Sequence, residues 1–176
     1  MSNRTKILIA AVIISLAAAT RLIDHPWNFT PIAAMAIFAG CYLGKKWGII
    51  LPLAAMLIGD YFIGFYSWQV MVSVYASMAL AFGIGWYLKS RKTWYNVGLA
   101  SLSSSIAFFL ITNFSVWAFF SWYPHTFAGL LNCFTLALPF FRNTLAGDLF
   151  YSGVLFGVYE LVLFWAARRE AAKELV

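Results

Sequence analysis

The chain has 176 residues, 63% hydrophobic and 10% charged, where soluble domains run roughly 45–50% apolar and roughly 25% charged. A soluble domain of this size leaves much of its surface wet, so the composition excludes one and makes lipid the solvent for most of the chain. The net charge of +6 does not describe a nucleic-acid surface, because the basic residues lie in short clusters between apolar runs, as in loops flanking membrane spans.

Crossing a hydrocarbon core takes about 20 apolar residues. Met1 to Thr20 begins basic and runs apolar like a signal peptide, but no clear small-x-small cleavage site precedes a soluble remainder. It is read as a retained first helix, Ile7 to Ala19. On it Ala11, Ser15 and Ala19 recur every fourth residue, a spacing that lets another helix approach closely, either within this chain or on a partner membrane protein. Thr30-Pro31 reads as an N-cap followed by a first-turn proline, which starts a short second span, Pro31 to Gly44. The third runs Trp47 to Tyr66, the fourth Gln69 to Leu88 and the fifth Val97 to Phe120, where Ser101, Ser103, Ser104 and Ser105 indicate close packing.

Thr126 to Phe141 is apolar but only about three-quarters of a span, and Pro139 interrupts its end. It is expected as a helix at the outer surface, or a re-entrant one. The sixth span is Thr144 to Ala167. Continuous apolar runs exclude a transmembrane barrel. The expected fold class is all-α: one transmembrane domain over residues 1–176, a bundle of six helices with the extra helix between the fifth and sixth.

With six spans and the N-terminus inside, the inner segments hold Arg4, Lys6, Lys45, Lys46, Lys89, Arg91, Lys92, Arg168, Arg169 and Lys173. That leaves Arg21 and Arg142 outside, of twelve basic residues in all. Positively charged loops stay cytoplasmic, so the expected location is a cytoplasmic (inner) membrane with both termini inside.

Ionisable groups inside a span are costly and usually face a cavity or a partner. Asp60, Asn113 with Trp117, and Asp148 all fall in the outer halves of their spans; Glu160 lies on the inner side. The first outer loop adds Arg21, Asp24, His25, Trp27, Asn28 and Phe29, and the last adds Trp122, Tyr123, His125 and Asn132, with Arg142-Asn143 just before the sixth span. Single aromatics there fit an interfacial belt. The whole collection calls instead for a polar, aromatic-walled pocket with Arg21, His25, Asn28, Asp60, Asn113, Trp117, Tyr123, His125, Asn132, Arg142, Asn143 and Asp148 as candidate ligand-binding residues. Within it, Arg142 and Asp148 either neutralise each other or hold a ligand, and Asp60 pairs with Arg21 or with Arg142. Each histidine is either a backbone-bonded loop residue or a metal or pH-responsive group. Two outward arginines and three outward helix N-termini would suit a carboxylate or phosphate. Cys41 and Cys133 have no CxxC partner and give neither a disulfide framework nor a zinc site. No catalytic residue, metal or cofactor is expected.

Three stretches carry a resemblance: Arg21-Leu22-Ile23-Asp24-His25-Pro26-Trp27-Asn28-Phe29-Thr30-Pro31, Tyr123-Pro124-His125-Thr126, and Pro139-Phe140-Phe141-Arg142-Asn143-Thr144 continuing to Gly147-Asp148. They resemble signatures of a small bacterial membrane protein family of poorly known function, over nearly the whole chain. That family is in turn similar, by size, helix number and layout, to the substrate-binding S components of energy-coupling factor (ECF) vitamin transporters. The resemblance implies a micronutrient captured from outside, a first loop acting as a lid over Arg21 to Thr30, and Ala11, Ser15 and Ala19 as the face that docks a transmembrane coupling subunit served by ATPases. The chain itself has no GxxxxGK[ST] motif. Solitary proteins of similar layout include cobalamin transporters in which a cysteine can ligate cobalt. Were a corrin or haem bound here, His25, His125 or Cys133 would be the candidate axial ligands.

Two other functions compete. An accessory subunit of a larger membrane complex would use the short spans and small-residue face for docking, and would co-purify with a partner without a ligand-sized cavity. A membrane enzyme would need Asp60, Asp148 and a histidine to act together, and the sequence lacks the tight acidic or His-rich spacing of metal-assisted chemistry.

Overall fold

The structure, a computed structural model, describes residues 2–174, with the side chains of Lys173 and Glu174 outside the description, so the basic side chain expected at Lys173 is not placed. Among the described residues the chain is wholly helical, with six α-helices and no strand: α1 (Asn3–Ala19), α2 (Ile32–Tyr42), α3 (Gly44–Ile63), α4 (Trp68–Leu88), α5 (Trp94–Phe119) and α6 (Phe127–Glu174). A 3₁₀ turn, Thr20–Leu22, prolongs α1. Five are long and apolar enough to cross a membrane, and α2 is not among them. Its eleven residues reach about 16 Å, half of a hydrocarbon core of about 30 Å.

The short helix is the centre of the bundle. Every residue from Ala33 to Cys41 is buried, and α3, α4 and α6 pack around it. Small residues make this possible, since association between apolar helices depends on close approach. At Gly85 a β-carbon would overlap the Ile37 carbonyl, and at Gly40 it would overlap the Phe82 carbonyl. α2 and α4 therefore touch backbone to backbone. The small-residue face expected on α1 is not used this way. α1 buries Ala10, Ile14 and Ala17, leaves Ser15 and Ala19 exposed, and returns the Ser15 hydroxyl to the Ala11 carbonyl at 3.0 Å.

The separate helix expected between the fifth and sixth spans is corrected. Phe127–Glu174 is one helix of 48 residues with Pro139 inside it, started by the Thr126 hydroxyl accepting from Gly129 N–H at 3.1 Å. Proline removes one helical hydrogen bond, but neighbouring helices in membranes re-satisfy the freed groups, so it bends this helix without ending it. The bend is visible against α5. From the Ser105–Asp148 contact to the Cys133–Asn113 contact α5 advances 8 residues while α6 covers 15, about 12 Å against about 22 Å. Two straight antiparallel helices would advance equally. Between these two contacts α6 thus bows away from α5, with Pro139 inside the bowed stretch.

Charge sorts the two ends. At one end Lys45 and Lys89 both stack on Trp86, Lys92 meets Tyr42 and Glu160, and Tyr159 donates to the Lys6 carbonyl. The opposite end holds Arg21, the following loop, the C-terminus of α3 and the N-terminus of α2.

Candidate functional site

A buried ion pair and a buried carboxylate are built into the Arg21 end. Arg21, at 9% exposure, lies across the last turns of α3. Its Nη2 donates to Asp60 Oδ1 at 2.9 Å and its Nη1 to the Met56 carbonyl at 3.4 Å. Gly59 makes the room, because a β-carbon there would stand 2.7 Å from Nη1. Tyr75 of α4 completes the group by donating to Asp60 Oδ2 at 3.0 Å. Of the two partners open to Asp60 from sequence, the structure selects Arg21.

Asp148 is the second buried carboxylate of this end, 2% exposed. It does not meet Arg142. Ser105 donates to its Oδ2 at 2.6 Å, and the backbone N–H groups of Ala33 and Ala34 hydrogen-bond to the same carboxylate. Those are first-turn amides of α2 without intrahelical partners, and Pro31 at the cap supplies no side-chain acceptor. A carboxylate from α6 therefore caps a helix 114 positions away in sequence, where the helix dipole favours negative charge.

The loop between the 3₁₀ turn and α2 is docked on α6. Asn143 Nδ2 donates to the Trp27 carbonyl at 3.0 Å, Trp27 stacks on Phe140 at 6.2 Å, and Phe29 packs against Phe150 and Tyr151. Gly147 admits the chain, since a β-carbon there would lie 3.1 Å from Phe29 Cα and Thr30 N. Asn28 takes φ 62°, a left-handed conformation that asparagine tolerates.

Beneath this loop lies a cavity of about 320 Å³. Arg21, Asn28, Thr30, Thr144 and Asp148 supply polar groups; Ile32, Met56, Val70, Val74 and Phe108 supply apolar wall; Tyr66 and Thr112 stand between. A mostly apolar recess with a few converging polar groups is the usual form of a small-molecule site. Tyr66, in the loop before α4, keeps its hydroxyl proton well into alkaline solution, because burial and then the nearby Asp60 push its pKa up to about 12. A smaller cavity of about 110 Å³ shares Asn28, Phe108, Thr112 and Thr144 and extends to Asn113, Phe140 and Phe141. It occupies the gap between α5 and the bowed stretch of α6.

The expected site residues therefore divide. Arg21, Asn28 and Asp148 line the main cavity, Asp60 stands behind it as the partner of Arg21, Asn113 lines the smaller one, and Asn143 acts by holding the loop. Trp117 donates to the Pro124 carbonyl at 3.0 Å and its ring meets His125 at 5.7 Å, so both belong to the α5–α6 turn, with Tyr123 half-buried beside them. Asn132 and Arg142 are exposed and line neither cavity. His25 bonds its Nδ1 to the Ile23 carbonyl at 2.6 Å, and Cys133 donates to the Asn113 carbonyl at 3.5 Å. The three axial-ligand candidates are thus not brought together, and Cys41 lies at the opposite end beside Tyr42. Among the described residues no cluster of three His, Cys, Asp or Glu side chains has metal-holding geometry. Neither arginine waits for an anion in the cavity, since Arg21 is already paired.

Sequence reasoning did not find Thr30, Tyr66, Thr112, Thr144 or the Asp60 partner Tyr75. Thr144 had a usable signal, standing four residues before Asp148 on one face of a helix. Tyr75 and Thr112 become neighbours of the site only through the packing of α4 and α5, and Thr30 and Tyr66 through the loops that precede α2 and α4.

The whole of this architecture falls within one known sequence family. A model described as a family of unknown function, DUF6580, matches residues 1–172, so the chain belongs to that family. No curated protein and no solved structure matches it.

Proposed function

For this member of a family without a known activity, we propose the role of a substrate-binding membrane component that takes up a small micronutrient, a vitamin or cofactor precursor, in the cavity at the Arg21 end. The observation that carries this reading is the 320 Å³ recess under a docked loop, apolar in its walls and polar at Arg21, Asn28, Thr144 and Asp148. Its volume is at the lower end of the range for small-molecule sites. That favours one compact ring system over a corrin or haem.

Basic side chains gathered at the Lys92 end support placing that end in the cytoplasm and the cavity outside, in a bacterial inner membrane with both termini internal. The exposed Ser15 and Ala19 on α1 support a docking face for an ECF-type coupling subunit with its ATPases, as the layout of S components implies. The same exposed face favours the second reading, an accessory subunit of a larger membrane complex.

A thermal-shift screen of detergent-purified protein against vitamins, corrinoids and haem separates the two. The uptake reading expects stabilisation by a vitamin-sized compound, reduced by Thr144→Val. No stabilisation by any compound, with stoichiometric co-purification of a partner, would leave the accessory reading in its place.

A further inference from the structure

The molecule has a second cavity of similar size, about 300 Å³, at the Lys92 end, lined by Tyr42, Lys92, Trp94, Val97, Phe156 and Glu160. It is polar at one rim. Tyr42 donates to Glu160 Oε1 at 2.5 Å, and Lys92 donates to Tyr42 at 3.0 Å and to the same carboxylate oxygen of Glu160.

One face of α6 joins the two cavities. Asp148, Ser152, Phe156 and Glu160 follow at four-residue spacing, each beside the one before it in an inclined stripe that winds gradually round the helix. Asp148 lines the first cavity, while Phe156 and Glu160 line the second. Ser152 alone stands between them on this stripe, about 6 Å from each neighbour, so the wall separating the cavities is about 12 Å thick along α6. Towards α5 that wall is closed by hydroxyls, and towards α2 by apolar packing of Phe156 on Phe38. Ser101 of α5 donates to Ser152 Oγ at 2.7 Å, and Ser105 bridges to Asp148 and to the Ser101 carbonyl. All four groups are buried.

The α2–α4 seam is closed by glycines and backbone contact, whereas α5 and α6 meet through serine and carboxylate hydrogen bonds, the kind that holds membrane helices together. Polar residues in that position, in line with a recess at each end, are placed where a hydrated solute would need them.

We propose that the two cavities are the two mouths of one route along this face of α6, opened alternately, so that the chain itself passes its ligand across the membrane. The route rests on the reading of the Arg21-end cavity as a small-molecule site.

The test uses accessibility and requires no ligand. In full-length protein with Cys41 and Cys133 replaced by alanine, Ser152→Cys is placed in the wall and Val154→Cys on the exposed side of α6. Each is treated with a membrane-impermeant cationic methanethiosulfonate in right-side-out and in inside-out vesicles. The expected result is labelling of Cys at 152 from both sides, at least tenfold faster than at 154. Labelling from one side only, or from neither, overturns the route. Ser101→Cys, facing the same wall from α5, repeats the measurement should Ser152→Cys misfold. Failure of the ligand screen with two-sided labelling would remove the micronutrient reading and leave the route; a positive screen with one-sided labelling would do the reverse.

Discussion

Arg21 and Asp60, 39 residues apart in sequence, form a 2.9 Å ion pair of which 9% and 1% is exposed. Removing one partner of a buried pair leaves an uncompensated charge and costs about 3–5 kcal/mol, whereas replacing both by apolar groups is often close to neutral. Arg21→Leu is therefore expected to destabilise strongly, and Arg21→Leu with Asp60→Leu to recover most of the loss in denaturant unfolding. The Lys92–Glu160 pair is 34% and 39% exposed and gives the contrast. Glu160→Gln is expected to cost less than about 1 kcal/mol. Equal losses at the two sites would show that burial does not decide their strength.

The second expectation concerns sign. Gly83 and Gly85 are both in α4, but only Gly85 faces a backbone. Gly85→Ala forces its methyl onto the Ile37 carbonyl and is expected to cost about 1–3 kcal/mol, as overpacking does. Gly83 has open space, so Gly83→Ala is expected to raise stability by up to about 1 kcal/mol through helix propensity. Thermal unfolding of the two proteins in the same detergent reads the difference directly.

These two cases mark what the sequence makes legible. Apolar length reveals α1, α3, α4 and α5, and the cost of a charge in lipid makes Arg21, Asp60 and Asp148 stand out before any packing is known. The shortness of α2 is visible too. Its central position is not, because burial on all sides depends on which glycine of α4 it meets. Asp148 is easily assigned to Arg142, six residues before it, since a sequence displays charges and does not display the free amides of a helix end. Pro139 reads as a boundary because proline breaks helices in water. Inside a bundle the same residue leaves α6 continuous, and the smaller cavity lies between α5 and the stretch around it.

Asp148 caps α2, which sets an order among its variants. Asp148→Leu leaves the Ala33 and Ala34 N–H groups unpaired in the core, and each unsatisfied buried group costs about 1–3 kcal/mol. Asp148→Asn keeps an acceptor oxygen and is expected to lose less. Ser105→Ala removes one donor only, at about 1 kcal/mol. Hydrogen exchange at Ala33 and Ala34 should accelerate in the same order, Leu above Asn above Ser105→Ala. Unchanged exchange in Asp148→Leu would show that the first turn of α2 is satisfied elsewhere.

Tyr66 sets a pH dependence. Its hydroxyl is raised from an ordinary 10 to about 12 by burial and by Asp60. The unfolded chain then releases this proton before the folded one does, so stability from the neutral form is complete below pH 10 and lost between pH 10 and about 12. Tyr66→Phe lacks that term. Its unfolding midpoint is expected to fall less steeply than that of the unmodified protein across this window, while the two run parallel from pH 7 to 9. Parallel curves throughout would place the hydroxyl in ordinary solvent.

The docked loop supplies the last expectation. It is held on α6 by the Asn143–Trp27 hydrogen bond and the Trp27–Phe140 stack, both at the surface, whereas Gly147 sets how closely it can approach. Asn143→Ala removes one neutral hydrogen bond, about 1 kcal/mol, and should raise local exchange over residues 23–30 with little change in global unfolding. Gly147→Ala pushes the Phe29–Thr30 backbone outward and should open the same segment further. Because Thr30 lines the cavity, a compound bound beneath the loop should dissociate faster from both variants, in that order. Loss of affinity through slower association, with dissociation unchanged, would mean that the loop guides entry and does not cover the occupant. The two outcomes are separable by stopped-flow measurement with any compound that the thermal screen identifies.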